Sequence, residues 1–201
     1  MSMGMLELIQ RIDAVWEPVY PDLARHISEV YGRRDGVILE IGPFCGVLGS
    51  LAKSGVGYRH VVAAFPVGMA GFFHRYFMTT GLQNKIHVVQ TDISLSAIHD
   101  AAIDLVIFRG ALFFPSVFEV DYGAIERVLR TGGVAMIGGG FGKYTPPDVI
   151  GPMAEESKDL NLRIGKAEVP PGKVEEDIRA SGVKAEFSIL TEGGLWVVLR
   201  N

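Results

Sequence analysis

Five short apolar runs, VILEI (37–41), HVVAAF (60–65), KIHVVQ (85–90), DLVIFR (104–109) and GVAMIGGG (133–140), recur along the chain with helix-like segments between them. This rhythm is the strongest constraint on the fold. Most of these runs do not alternate strictly with polar residues, so they read as strands covered on both faces, the pattern of a parallel sheet. A parallel pair needs a crossover of a dozen or more residues, usually a helix. The order therefore predicts an α/β domain with helices on both faces of a mainly parallel sheet.

The intervening segments fit that frame. Residues 5–31 place Leu6, Ile9, Ile12, Val15 and Trp16 at helical spacing, with Pro18 and Pro21 breaking the pattern into two helices or a kinked one. GVLGSLAKSG reads as a helix ended by glycine, and GMAGFFHRYFMTTGL as a helix stopped at Gly81. Residues 93–102 read as a short helix or turn. YGAIERVLRTGG reads as a helix, and the polar, proline-containing stretch after the fifth strand suggests one more over 151–162. VEEDIRASG is helical in pattern. KAEFSIL, TEGG and LWVVLR then read as strand, turn and strand, an antiparallel hairpin that adds to the end of the sheet.

At 201 residues the chain is long enough to bury a core without disulfide or metal. Residues 1–31 read as an N-terminal helical lid or extension, and 32–201 as the main domain. The apolar content of 48% and net charge of −4 are ordinary for a globular protein, and the charge argues against a nucleic-acid partner. The longest apolar run, 61–73, is too short to span a membrane and contains a proline and two glycines. The start of the chain lacks the pattern of a signal peptide, which points to a cytoplasmic protein. Cys45 is the single cysteine, and the five histidines show no metal-ligand spacing, so no metal is expected.

The first strand runs into a glycine loop, LEIGPFCGVLGS (39–50), that opens a helix. Backbone N–H groups at such a junction are where open α/β sheets bind ligands. EIGPFCG resembles the acidic-x-Gly-x-Gly-x-Gly motif of class I (Rossmann-like) S-adenosylmethionine-dependent methyltransferases. Glu40, Gly42 and Gly46 match, and Phe44 replaces the middle glycine. QTDI (90–93) resembles the acidic motif after the family's third strand, IDLVIFRGALFF its fourth strand and loop, and RVLRTGGVAMIGG its fifth strand with the preceding turn. The C-terminal hairpin is similar to the family's last two strands. The resemblance covers about residues 34–200 in order.

The resemblance implies a three-layer Rossmann-like methyltransferase fold and S-adenosylmethionine as cofactor, with S-adenosylhomocysteine as product. Gly42 and Gly46 would let the backbone approach the methionine part, and Glu40 would sit near its amino group. Asp92 with Ile93 would flank the adenine. Arg109 and Gly110 would line the sulfonium and substrate side. The family usually ends its second strand in an acid that binds the ribose; here Ala64, Phe65 and Pro66 stand at the candidate positions. That missing acid marks a divergent or non-catalytic member: with Phe44 and Phe65 both facing the cleft, a cofactor would be held more by apolar contact, or not held at all. Trp16, Tyr20, Phe113, Phe114 and Tyr144 would form an aromatic pocket for a small-molecule substrate, and no residue declares itself a catalytic base.

Plainer roles stand beside these. The glycines serve a tight turn and close packing as well as a ligand, Phe44 either covers the cofactor or plugs the cleft, and Asp92 suits a cap for the segment that follows. Cys45 reads as a packed small residue, His74 as a weak candidate for the cleft, and Asp100 and Asp104 as solvated turn residues. Three functions follow: a methyltransferase using in-line transfer to a small molecule; a non-catalytic or altered-ligand binding protein that keeps the fold; and a nicotinamide oxidoreductase, which the terminal hairpin disfavours. The apolar N-terminal helices leave a lid or a homodimer contact open.

Overall fold

The computed structural model describes residues 3–66 and 68–201. Met1 and Ser2 of the N-terminal extension, and Val67 beside the end of the second strand, lie outside the described residues. The chain opens with α1 (Met3–Trp16), a 3-10 turn (Glu17–Val19) and α2 (Tyr20–Tyr31). Pro18 sits in the turn, whereas Pro21 lies in the first turn of α2, where its missing N–H has no helical partner to lose. Gly32, at φ +72°, ends α2.

Seven strands follow: β1 (Val37–Ile41), β2 (Arg59–Ala64), β3 (Ile86–Gln90), β4 (Ile103–Arg109), β5 (Leu129–Gly139), β6 (Glu186–Leu190) and β7 (Leu195–Arg200). Their order across the sheet is β3-β2-β1-β4-β5-β7-β6. The first five are parallel, β7 runs antiparallel to β5, and β6 runs antiparallel to β7. Strands β1 and β4 occupy the middle and are buried along their whole length. Between them the chain reverses its direction of travel across the sheet, so the crevice outside their carboxyl ends is the place where such sheets bind ligands.

Helices α3 (Gly46–Lys53), α4 (Met69–Thr79), α5 (Tyr122–Val128), α6 (Pro147–Ile164) and α7 (Pro171–Ala180) complete the layers. Two buried clusters lie on opposite faces of the sheet. One gathers Ile9, Leu39, Phe44, Phe108, Ile125 and Leu160; the other gathers Tyr20, Leu48, Val62, Phe73, Met136 and Trp196. The N-terminal helices join this core: α1 packs on α6 and α2 packs on α3.

Three expectations change. Helix α5 ends at Val128 because Leu129 turns extended (φ −69°, ψ 135°) and pairs with Ile103, so β5 starts before the glycines that were expected to end the helix. Helix α6 starts earlier than residue 151, at Pro147, and accommodates Pro152 at an exposed position. Asp104 lies inside β4 and is buried; its carboxylate accepts the Val37 N–H at 2.7 Å and pairs with Arg130 at 3.0 Å. Residues 93–102 form turns, with Leu95 and Ala101 at positive φ. Among the described residues no helix is long and apolar enough to cross a membrane.

Candidate functional site

The glycine loop joins β1 to α3 at the switch point. Glu40 is fully buried in β1, and its Oε2 accepts the Leu48 N–H at 2.8 Å, in the first turn of α3. Among the described residues its Oε1 has no partner. Burial pushes the Glu40 carboxyl up to about 8, with Arg109 opposing the rise. The Gly42 N–H donates to the Ala63 carbonyl at 2.9 Å. A Cβ on Gly42 would stand 2.7 Å from the Phe73 ring, and one on Gly46 would stand 1.9 Å from the Tyr20 ring. Both glycines therefore give their space to rings of this chain.

Phe44 is 1% exposed, and its ring lies across the end of β4. A Cβ on Gly110, whose φ is +80°, would meet that ring at 2.8 Å, so only glycine admits the arrangement. Phe44 touches Phe114 (6.0 Å between ring centroids) and Phe118 (6.2 Å), and Phe118 meets Phe108 at 5.4 Å. The Arg109 guanidinium sits 4.4 Å from the Phe44 centroid. The ring thus plugs the space beside Gly110, an arrangement that serves either of its two roles.

Beside the plug is a buried polar cluster. Arg109 Nη2 donates to Asp13 Oδ1 at 2.6 Å and to the Tyr20 hydroxyl at 2.7 Å. The Tyr20 hydroxyl donates to the same Asp13 oxygen, and the Cys45 thiol lies 4.0 Å from the other, Oδ2. Asp13, Tyr20 and Arg109 are each at most 5% exposed. Burial raises the Asp13 pKa, against the pull of Arg109 and the hydrogen bonds, and burial also raises Tyr20 well above its ordinary value. Helix α1 thus delivers a carboxylate to the amino end of α3, where the helix dipole favours negative charge.

Phe65, Asp92 and Ile93 do come together. With Ile41 and Phe108 they line a cavity of about 10 Å³, room for roughly one water. Asp92 is exposed and caps its own turn: Oδ1 accepts from Ser94 Oγ (2.8 Å) and from the Ser96 N–H (3.1 Å), and Oδ2 from Ser96 Oγ (2.8 Å). These bonds hold its carboxyl down to about 2.

A second cavity, of about 380 Å³, opens beyond β4 and β5. Trp16, Phe113 and Phe114 line it, together with Phe44, Arg109 and Gly110. Tyr20 faces Asp13 and Arg109 instead, and Tyr144 turns to α2, where its hydroxyl meets Glu29 and Arg25 lies 3.8 Å from its ring centroid. His74 is exposed on α4, and Cys45 is a buried free thiol whose pKa burial pushes up. Asp13, Phe141, Lys158, Asn161 and Lys166 were absent from the sequence-based site. Asp13 had a legible signal: it is a carboxylate within the apolar stripe that Ile9, Ile12 and Trp16 define. Among the described residues no group of three His, Cys, Asp or Glu is placed to hold a metal ion.

No family model and no curated protein matches the sequence. Solved structures do. A Methanococcus maripaludis protein assigned to the S-adenosyl-L-methionine-dependent methyltransferases superposes with a TM-score of 0.78 at 23% identity, over 98% of this chain and 91% of its own. The fold is that of the class I methyltransferases. A Haloferax volcanii chain solved in complex with the Trm112 methyltransferase activator superposes with a TM-score of 0.64 at 14% identity, over 100% and 98%. PigF, solved with S-adenosylhomocysteine, gives 0.60 at 17% identity, over 98% and 66%.

Against the cofactor that this fold implies, the residues fit at one end. The 380 Å³ cavity reaches Phe44, Arg109 and Gly110, on the expected methionine and sulfonium side. At the expected adenosine end the space is about 10 Å³, Phe65 rather than an acid follows β2, and ring contacts link Phe44, on one cavity, through Phe118 to Phe108, on the other. As packed, these residues do not accommodate the whole cofactor.

Proposed function

We propose that this protein is an S-adenosylmethionine-dependent methyltransferase acting on a small molecule, and that the packing described above is its closed form. The observation that carries the reading is a sizeable aromatic cavity set beside the glycine loop, at the switch point of a class I methyltransferase fold. In this reading residues 1–31 are a lid over the 32–201 domain. Glu40, Gly42, Gly46, Asp92, Ile93, Arg109 and Gly110 belong to the cofactor side, and Phe44 and Phe65 must shift to admit the adenosine. Trp16, Phe113 and Phe114 belong to the acceptor side. The protein's contribution would be alignment of the two reactants and exclusion of water.

One observation favours a second reading, a binding protein that keeps the fold without turnover. The cleft holds the chain's own Phe44 and Asp13 where a ligand would lie. Calorimetric titration with S-adenosylmethionine and S-adenosylhomocysteine separates the two. Binding of both below millimolar concentration, with methyl transfer to an acceptor panel, is the expected result. No heat at millimolar concentration refutes the methyltransferase reading and leaves the second.

A further inference from the structure

The 380 Å³ cavity lies within the range of about 300–1,000 Å³ usual for small-molecule sites, and its wall says what it would accept. Its body is aromatic: Trp16 and Phe141 are stacked at 5.0 Å with an 8° interplanar angle, and Phe44, Phe113 and Phe114 complete the apolar surface. Flat rings pair best with flat molecules, in offset or edge contacts. The polar groups are unbalanced. Arg109, Lys158 and Lys166 line the cavity, against a single carboxylate, Glu168. Asp13, the partner of Arg109, is not on the lining. Among the described residues neither lysine is in an ion pair, and Lys166 Nζ stands 5.9 Å from the Phe113 ring centroid, over the aromatic wall.

We propose that this cavity binds a planar aromatic molecule bearing a carboxylate, with its ring against Trp16, Phe113 and Phe141 and its charge toward Lys158 and Lys166. The inference rests on the methyltransferase reading only in naming that molecule the methyl acceptor. The aromatic wall sets the shape, and the two lysines select the charge.

The test uses the full chain and three probes of one shape: 2-naphthoate, 2-naphthamide and 2-naphthylmethylamine, titrated by calorimetry and by quenching of tryptophan fluorescence. The expected result is that 2-naphthoate binds at least tenfold more tightly than the amine and several-fold more tightly than the amide. The double variant Lys158→Gln, Lys166→Gln loses most of that preference with an unchanged melting temperature, since both residues are exposed. Leu162→Glu, at the exposed rim, weakens naphthoate and favours the amine. Equal binding of the three probes, no binding of naphthoate at 1 mM, or a preference untouched by all three substitutions overturns the proposal. If naphthoate binds as described and S-adenosylmethionine does not, the methyltransferase reading falls while this site stands; the reverse result leaves that reading and removes this one.

Discussion

Replacing Arg109 with methionine strands a buried carboxylate. Arg109 supplies Asp13 with its only full positive charge in a pocket where Asp13, Tyr20 and Arg109 are all at most 5% exposed. Methionine fills much of the apolar stem but leaves Asp13, among the described residues, with the Tyr20 hydroxyl and the weak Cys45 thiol contact. Breaking a buried pair from one side costs about 3–5 kcal/mol. With a urea m-value of ~2 kcal/mol/M, the unfolding midpoint should fall by roughly 1.5–2.5 M. The companion variant Asp13→Leu, Arg109→Met removes both charges and should recover most of that loss, because apolar replacement of a whole buried pair is often near neutral. The pH dependence has a definite sign. Burial already holds the Asp13 pKa above its ordinary value, and loss of the guanidinium raises it further. The penalty of Arg109→Met should therefore be full at pH 8 and shrink toward pH 4, as Asp13 takes up a proton in the folded chain. Equal costs at both pH values, or a double variant whose loss equals the sum of the two single ones, would refute the idea that an uncompensated carboxylate is the cause.

Other substitutions probe the loop. Glu40 is held neutral up to about 8, whereas an unfolded glutamate ionises above 4.5, so stability should fall as pH rises through that window. Glu40→Gln should abolish that slope, worth up to about 5 kcal/mol at ~1.4 kcal/mol per unit, in urea titrations run at several pH values. Gly46→Ala pushes a methyl group into the Tyr20 ring and should cost about 1–3 kcal/mol in the same assay. Phe44→Gly should lower stability by ~3–5 kcal/mol and, by opening the cleft, tighten S-adenosylhomocysteine binding measured by calorimetry. Phe65→Asp puts an acid at one of the three candidate ribose positions and should tighten the same ligand by ~1.5–3 kcal/mol, about 10- to 150-fold.

The framework was legible because its signals are local. Unbroken apolar runs such as VILEI and DLVIFR announce doubly covered strands, and the terminal hairpin announces itself by its short glycine turn. The helix before β5 was misjudged at its end because Arg127 to Thr131 carry no breaker; pairing of Leu129 with Ile103, a tertiary contact, overrides local preference there. Asp104 read as a turn residue because a charge usually avoids a central strand. Its partners, Val37, Arg33 and Arg130, lie far away in sequence. The site divides the same way. Glycines and motif order pointed to the loop, but the plug depends on how Phe44 meets Gly110, and the polar cluster depends on α1 folding back so that Asp13 reaches Arg109, 96 residues away. Tyr144 reads as a pocket residue by its type and its place after the fifth strand, but its hydroxyl serves Glu29 and its ring Arg25.

The strand that comes last in sequence does not lie last in the sheet. β7 inserts between β5 and β6, pairing Val134 with Arg200 and Gly139 with Leu195. During synthesis, β5 is made about 60 residues before its outer partner is complete. At ~5–20 residues per second, the buried stretch of β5 from Val134 to Gly139 waits roughly 3–12 s with one row of backbone groups unpaired. That interval, rather than any weakness of the finished sheet, is when the chain is most open to pairing with a neighbour.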